Sequence, residues 1–159
     1  MKANRFFLYS TILIMLVLPA ASIVIEWISG YYDPDLILLI GKWFIFWAVG
    51  VRLFTAGLSQ ILRPAFTAGS IFHLKDKASF AIIRELGIAN ACGGMVAMIS
   101  LFIDQWRIPA AFLGGLFLGI AGLQHVIRKP DNPNEQIPMI SNIIIFIIMV
   151  VYLLDYALM

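Results

Sequence analysis

Residues 79–95 read SFAIIRELGIANACGGM. Without Arg84 and Glu85 the stretch would be an ordinary lipid-embedded helix. With them, two full charges stand side by side in an apolar run that continues to Ile103. Its length decides the fold. At 1.5 Å of rise per residue, roughly 20 mostly apolar residues carry an α-helix across a hydrocarbon core. Four further runs of this kind surround it, so the expected spans are 6–28, 36–62, 79–103, 109–127 and 138–158. Gly30 ends the first and Arg63-Pro64 the second. Pro109 opens the fourth, where its missing N–H does no harm. Lys42 and Arg52 interrupt the second span.

The whole chain agrees with this stretch. It has 159 residues, 62% hydrophobic and 13% charged, with a mean hydropathy of +0.94. Soluble domains are about 45–50% apolar and about 25% charged. Too few polar residues are present to cover a water-exposed surface, so the reading is an all-α integral membrane bundle of five spans forming one domain, 1–159. A net charge of +2 gives no argument for nucleic acid. A single cysteine, Cys92, excludes an internal disulfide and a cysteine-framework metal site. Lys2, Arg5, an apolar run and LPAAS at 18–22 look like a signal peptide. The apolar run reaches Ile28, however, long for a signal core, and the reading favours a retained first helix.

Lysine and arginine set an expected orientation. Lys2, Arg5, Arg63, Lys75, Lys77, Arg128 and Lys129 fall on one set of alternate loops, and only Arg107 on the other. The latter set carries Glu26, Asp33, Asp35, Asp104 and Asp155. The N-terminus is therefore expected inside and the C-terminus outside, in the inner (cytoplasmic) membrane. Trp27, Tyr31, Tyr32, Trp43 and Trp106 gather at the outer boundary, where amphipathic rings prefer to sit. Lys42 is expected to snorkel outward there.

The remaining polar residues converge on the cytoplasmic half: Arg52, Ser59 and Gln60 in the second span, Arg84, Glu85 and Asn90 in the third, Gln124 and His125 in the fourth, Ser141 and Asn142 in the fifth. Ala48, Arg52, Thr55, Ala56, Ser59 and Arg63 share one helical stripe. Ala81, Glu85, Ala89, Cys92, Gly93 and Val96 share another, expected to face a neighbouring helix because small residues allow close approach. Ala111, Gly115, Gly119 and Gly122 form a third, read as packing. A charge at the bilayer centre costs about 2.5–3.5 kcal/mol on insertion scales. Arg84 and Glu85 point about 100° apart on a helix, so they need different partners. The expectation pairs Glu85 with Arg52 and sends Arg84 to lipid phosphate or to Gln124 and His125. The connection PAFTAGSIFHLKDKA at 64–78 reads as a segment lying in the interface, and RKPDNPNEQIP at 128–138 as a solvated turn.

Phosphate-binding glycine loops, two-histidine zinc motifs, a serine nucleophile elbow and N-x-[ST] are absent from the sequence. No internal repeat supports an inverted-repeat transporter. A haem would need an axial partner for His125, and the other histidine, His73, lies in a loop. His125 is read as a hydrogen-bonded structural residue, and no cofactor or metal is expected.

GVRLFTAGLSQILRPAFTAGSIF at 50–72, RELGIAN at 84–90 and GLQHV at 122–126 resemble a family of small bacterial integral membrane proteins with a RELGxAN-type motif. The resemblance implies positions rather than an activity, and Arg52, Arg84, Glu85, Asn90, Gln124 and His125 lie in its motif stretches. A looser similarity is to DoxX-like membrane proteins, four-helix bundles some of which serve quinone-linked oxidoreductases. This chain departs from them in its fifth span and in lacking a clear motif of that group.

The functional expectation is a small membrane protein that binds or transports a small anionic or polar ligand in a cytosol-facing cavity. Arg52, Arg84, Glu85, Asn90, Gln124 and His125 would line it. One alternative is a quinone-linked redox component or lipid-modifying enzyme using His125 and Glu85. Another is a structural subunit of a membrane complex. The partners expected are the lipid bilayer and, for the last reading, a second copy or another subunit.

Overall fold

A computed structural model describes residues 5–30, 35–129 and 133–158. Among them every regular element is helical: α1 Arg5–Ser29, α2 Leu36–Leu62, α3 Pro64–Ser70, α4 Ser79–Ile99, α5 Arg107–Arg128 and α6 Pro133–Leu158. All but the short α3 are long and apolar enough to cross a membrane, which makes the chain a multi-pass membrane protein. Lys2, Tyr31, Tyr32 and Asp33, used above for orientation, and residues 130–132 of the expected solvated turn lie outside the described residues.

Three boundaries differ from expectation, each for a local reason. α4 stops at Ile99, where Ser100 Oγ turns back onto the Ala97 carbonyl at 2.7 Å, and the chain goes on in turns to Ile103. α5 starts at Arg107 after one 3-10 turn, Asp104–Trp106, so Pro109 sits third in the helix, still within its first turn. α6 starts at Pro133, leaving Pro138 inside it. The 64–78 connection holds α3, which Pro64 begins at its first position.

Two helices widen at mid-bundle. In α1 the Leu18 N–H reaches Leu13 O, five residues back, one residue before Pro19. Proline has no N–H and its ring crowds the carbonyl four residues earlier, and a π-turn accommodates both. In α2 the segment Ile45–Val51 is π-helical, and the Arg52 N–H reaches Trp47 O. The two widened turns pack on each other, bringing Met15 into a core with Ile45, Ala48 and Val49.

α2 is the hub and touches α1, α4, α5 and α6. It lies antiparallel against α4 with backbone on backbone. A Cβ on Gly57 would come 2.5 Å from Gly87 O, and one on Gly87 would come 2.8 Å from Gly57 O. Higher up, a Cβ on Gly94 would run into Phe54 N and lie 2.7 Å from Gly50 O. Gly50/Gly57 and Gly87/Gly94 thus mesh at the same seven-residue spacing. This corrects the expected face of the third span. The packed stripe is Ile83, Gly87, Asn90, Gly94 and Ala97, whereas Ala81, Glu85, Ala89 and Cys92 are exposed. Both stripes carry small residues at helical spacing, but at this separation a Cβ on Gly57, Gly87 or Gly94 would strike the facing backbone, so the α2–α4 contact takes the glycine stripe.

The α5 stripe, read from the sequence only as packing, lies against α6. Gly115 faces Met149, Gly119 faces Phe146, and Gly122 faces Asn142 and Ile143. The adjoining Gly114 receives Val49 of α2. Large apolar side chains point outward around the bundle, most densely on α1, where only Met15 and Pro19 are buried.

Candidate functional site

The two ends of the bundle differ in charge. The Phe7–Phe66 edge contact and the Arg128 guanidinium over the Phe72 ring, 5.6 Å from its centroid, tie the start of α1, the α3 segment and the end of α5 together. Arg5, Arg63, Lys75, Lys77, Arg128 and Lys129 belong to that end. Glu26, Asp35, Asp104 and Asp155 belong to the other, where Arg107 is held by Asp104 at 2.6 Å. There Asp35 also caps α2, its Oδ1 accepting from the Ile37 and Leu38 N–H groups at 2.9 and 3.2 Å.

Arg52 projects from the widened turn of α2 toward α6. Its Nη2 donates to Asn142 Oδ1 at 2.6 Å and to Ser141 Oγ at 2.9 Å. Its Nη1 is enclosed and has no acceptor. Both partners are neutral, and among the described residues no carboxylate lies within ion-pair distance of Arg52. Ser141 and Asn142 are themselves buried. Asn142 can come this close to α5 because Gly122 stands opposite it, where a Cβ would lie 3.2 Å from the Asn142 Cβ. Arg52 is thus a cation between α2 and α6, fixed by one amide and one hydroxyl, with one N–H face uncommitted.

The other residues expected around it do not all join. Asn90 does point inward, but toward α2, where its Nδ2 donates to Gln60 Oε1 at 2.8 Å. Glu85 is exposed and among the described residues makes no ion pair or side-chain hydrogen bond, so the expected Arg52–Glu85 pair is not formed. The stripe reasoning placed Glu85 on the packed side of its helix, and it lies on the opposite side. Arg84 is exposed too, and reaches neither Gln124 nor His125. Gln124 is exposed, and His125 is half-buried. The six residues therefore separate into Arg52, held by Ser141 and Asn142, Asn90, bonded to Gln60, the outward-facing neighbours Arg84 and Glu85, and Gln124 with His125 near the end of α5. A groove of about 330 Å³ between α5 and α6 has apolar walls: Leu116, Gly119, Ile120, Leu123, Ile143 and Phe146. Among the described residues no three metal-ligating side chains converge.

An ion pair that was not expected joins α1 to α2. Lys42 Nζ meets Glu26 Oε1 at 2.6 Å and Oε2 at 2.9 Å, and Trp43 Nε1 donates to the same carboxylate at 2.7 Å. The side chains of Lys42 and Glu26 are only 14% and 15% exposed. Lys42 turns onto α1 rather than snorkelling outward. One helical turn deeper, Trp47 Nε1 donates to Ser22 Oγ at 3.0 Å. The sequence signal was a glutamate still inside the first apolar run, facing a lysine still inside the second.

Comparison with protein-family models, with curated proteins and with solved structures finds no match to this chain.

Proposed function

We propose that this is a small multi-pass protein of the cytoplasmic membrane that binds a small anionic or strongly polar ligand at Arg52. The observation that carries the reading is the enclosed Arg52 Nη1, a charged donor within a spanning helix with no acceptor and no carboxylate partner among the described residues. An unpaired buried cation is destabilising, and intramembrane charges are functional candidates by default. Ser141 and Asn142 hold one nitrogen and leave the other for an incoming oxygen, so ligand oxygens would complete the guanidinium fork. With six Lys and Arg side chains at one end of the described bundle, positive charge toward the cytoplasm puts the N-terminus inside. Arg52 then lies in the cytoplasmic half, ten residues or about 15 Å before the end of α2 at Leu62.

Thermal unfolding of the purified protein tests this, titrated in turn with inorganic phosphate, a short-chain carboxylate and a short-chain phosphatidylglycerol. A ligand at 100 times its Kd adds about 2.7 kcal/mol, which for a chain of this size is a rise of roughly 5–11 °C. At least one probe should raise the midpoint of the native chain and leave Arg52→Gln unmoved. Equal shifts in both proteins, or none in either, would make Arg52 a clamp between α2 and α6 instead.

A further inference from the structure

α4 carries a second helical stripe on the side away from α2. Ala81, Glu85, Ile88, Cys92 and Met95 recur at alternating steps of four and three and are all exposed, with Arg84 and Ala89 on its flanks. That step is the 3.5-residue seam along which helices pack knobs-into-holes. Ala81 and Cys92 on it are small, which favours close helix approach within a bilayer. The stripe carries charges that no described neighbour satisfies, because among the described residues neither Glu85 nor Arg84 has an ion-pair or side-chain hydrogen-bond partner. Glu85 lies six residues into α4, about 9 Å along its axis. Alongside it, Gly87 packs on Gly57, Gln60 and Ile61 of α2, so the charges are level with the last turn of a spanning helix.

We propose that this face of α4 is the interface of a symmetric homodimer, in which Arg84 of each copy pairs with Glu85 of the other. The charge arrangement selects a second copy. Two copies in one membrane share an orientation, so a twofold axis along the bilayer normal sets the two α4 helices parallel at equal depth. In such a seam, a knob at 85 enters a hole bordered by positions 81, 84, 85 and 88 of the facing helix. Arg84 of one chain then reaches Glu85 of the other, and the contact repeats by symmetry. Within one helix these adjacent side chains diverge by about 100°. Across the axis they form a closed ring of two cations and two anions. An unrelated partner helix would have to supply both complementary charges at one depth. A second copy does so by construction.

The exposed native cysteine provides the test. Cys92 lies seven residues beyond Glu85 on the same seam, so the two copies of Cys92 face each other within disulfide reach. Membranes containing the full chain are treated with copper-phenanthroline and resolved without reductant. A dimer band is expected for the native chain and not for Cys92→Ser. A reporter moved to the lipid face of α1, Cys92→Ser with Val24→Cys, should give no comparable band. Glu85→Arg sets arginines against arginines and should lower the dimer fraction roughly tenfold, since like charges oppose association strongly. Adding Arg84→Glu restores opposite charges across the axis and should restore the band, although each chain then differs at two positions. Any of three results overturns the proposal: no Cys92 dimer in the native chain, an equal band from the α1 reporter, or a Glu85→Arg band that does not fall. A Cys92 adduct to a different protein instead of a dimer would also overturn it.

Discussion

Of the charges toward the two ends of this bundle, Glu26 and Lys42 form a closed pair between helices, whereas Arg84 and Glu85 stay open. At one end Glu26 and Lys42 come from different helices and meet at 2.6 Å, with Trp43 donating to the same carboxylate. At the other, Arg84 and Glu85 are neighbours in sequence and touch neither each other nor any described residue through an ion pair. Adjacent positions on a helix diverge, whereas positions on antiparallel neighbours can face each other. A pair sixteen residues apart across a turn is therefore bonded, and a pair one residue apart is not. The first pair fastens α1 to α2. The second leaves two charges available for something outside the chain.

The largest effect should come from opening the closed pair. Glu26→Ala leaves the Lys42 ammonium and the Trp43 N–H without their shared carboxylate. Removing one member of a buried pair typically costs about 3–5 kcal/mol, and the lower end applies here because both side chains keep some exposure. The midpoint of thermal unfolding should fall by roughly 6–12 °C. Replacing both members, Glu26→Leu with Lys42→Leu, should recover most of that loss, because the ammonium is removed together with its carboxylate. If Glu26→Ala unfolds at the native temperature, the contrast between the two ends is one of geometry without energetic content.

The sequence shows most of the fold and little of the site, for one physical reason. Spanning helices are set by length and hydropathy, properties of consecutive residues, so all five could be placed to within a few residues. Which face of a helix packs depends on its neighbours. On α4, both Ala81/Glu85/Ala89/Cys92 and Gly87/Gly94 carry small residues at helical spacing, and periodicity alone does not rank them. The ranking was nevertheless present in residue type. Gly50 and Gly57 repeat the seven-residue spacing of Gly87 and Gly94, a reciprocal match that alanines and a cysteine do not offer. Arg52 was legible as a buried charge because it interrupts an apolar run. Ser141 and Asn142 were legible at its depth, but their bond to it was not, because they lie 89 and 90 residues away on α6 and the stripe reading gave Arg52 to Glu85 instead. Glu26 was passed over because it sits near the expected end of its span, where a carboxylate is unremarkable.

The choice of packed face can be tested with two adjacent glycines. A Cβ on Gly94 would strike Phe54 N and lie 2.7 Å from Gly50 O, both of them backbone atoms. A Cβ on Gly93 would meet only Leu113 Cδ2, at 3.9 Å. Each change to alanine brings the same gain in helix propensity, about 1 kcal/mol, so the difference between them isolates the contact. Gly94→Ala must push α2 and α4 apart and should be the less stable of the two by about 2 kcal/mol, within the usual range for overpacking. Gly93→Ala should unfold at or slightly above the native midpoint. Equal midpoints would mean that α4 presents a different face to α2.

The smallest effect is expected at the open end. Glu85→Gln removes a charge that has no ion-pair partner among the described residues, so the isolated protomer should keep its midpoint to within about 2 °C, as substitutions on an exposed surface do. The measurement needs detergent in large excess over protein, where two copies rarely share a micelle and association contributes nothing to stability. Repeated in concentrated liposomes, the same substitution should lower the midpoint, because there the native chain gains stability from any contact formed only by the folded state. A fall already present in the isolated protomer would show that Glu85 has a partner within the chain, and the two ends of the bundle would then be alike. A fall confined to the liposomes assigns the open pair to a contact between chains, the complement of the closed pair that holds each chain together.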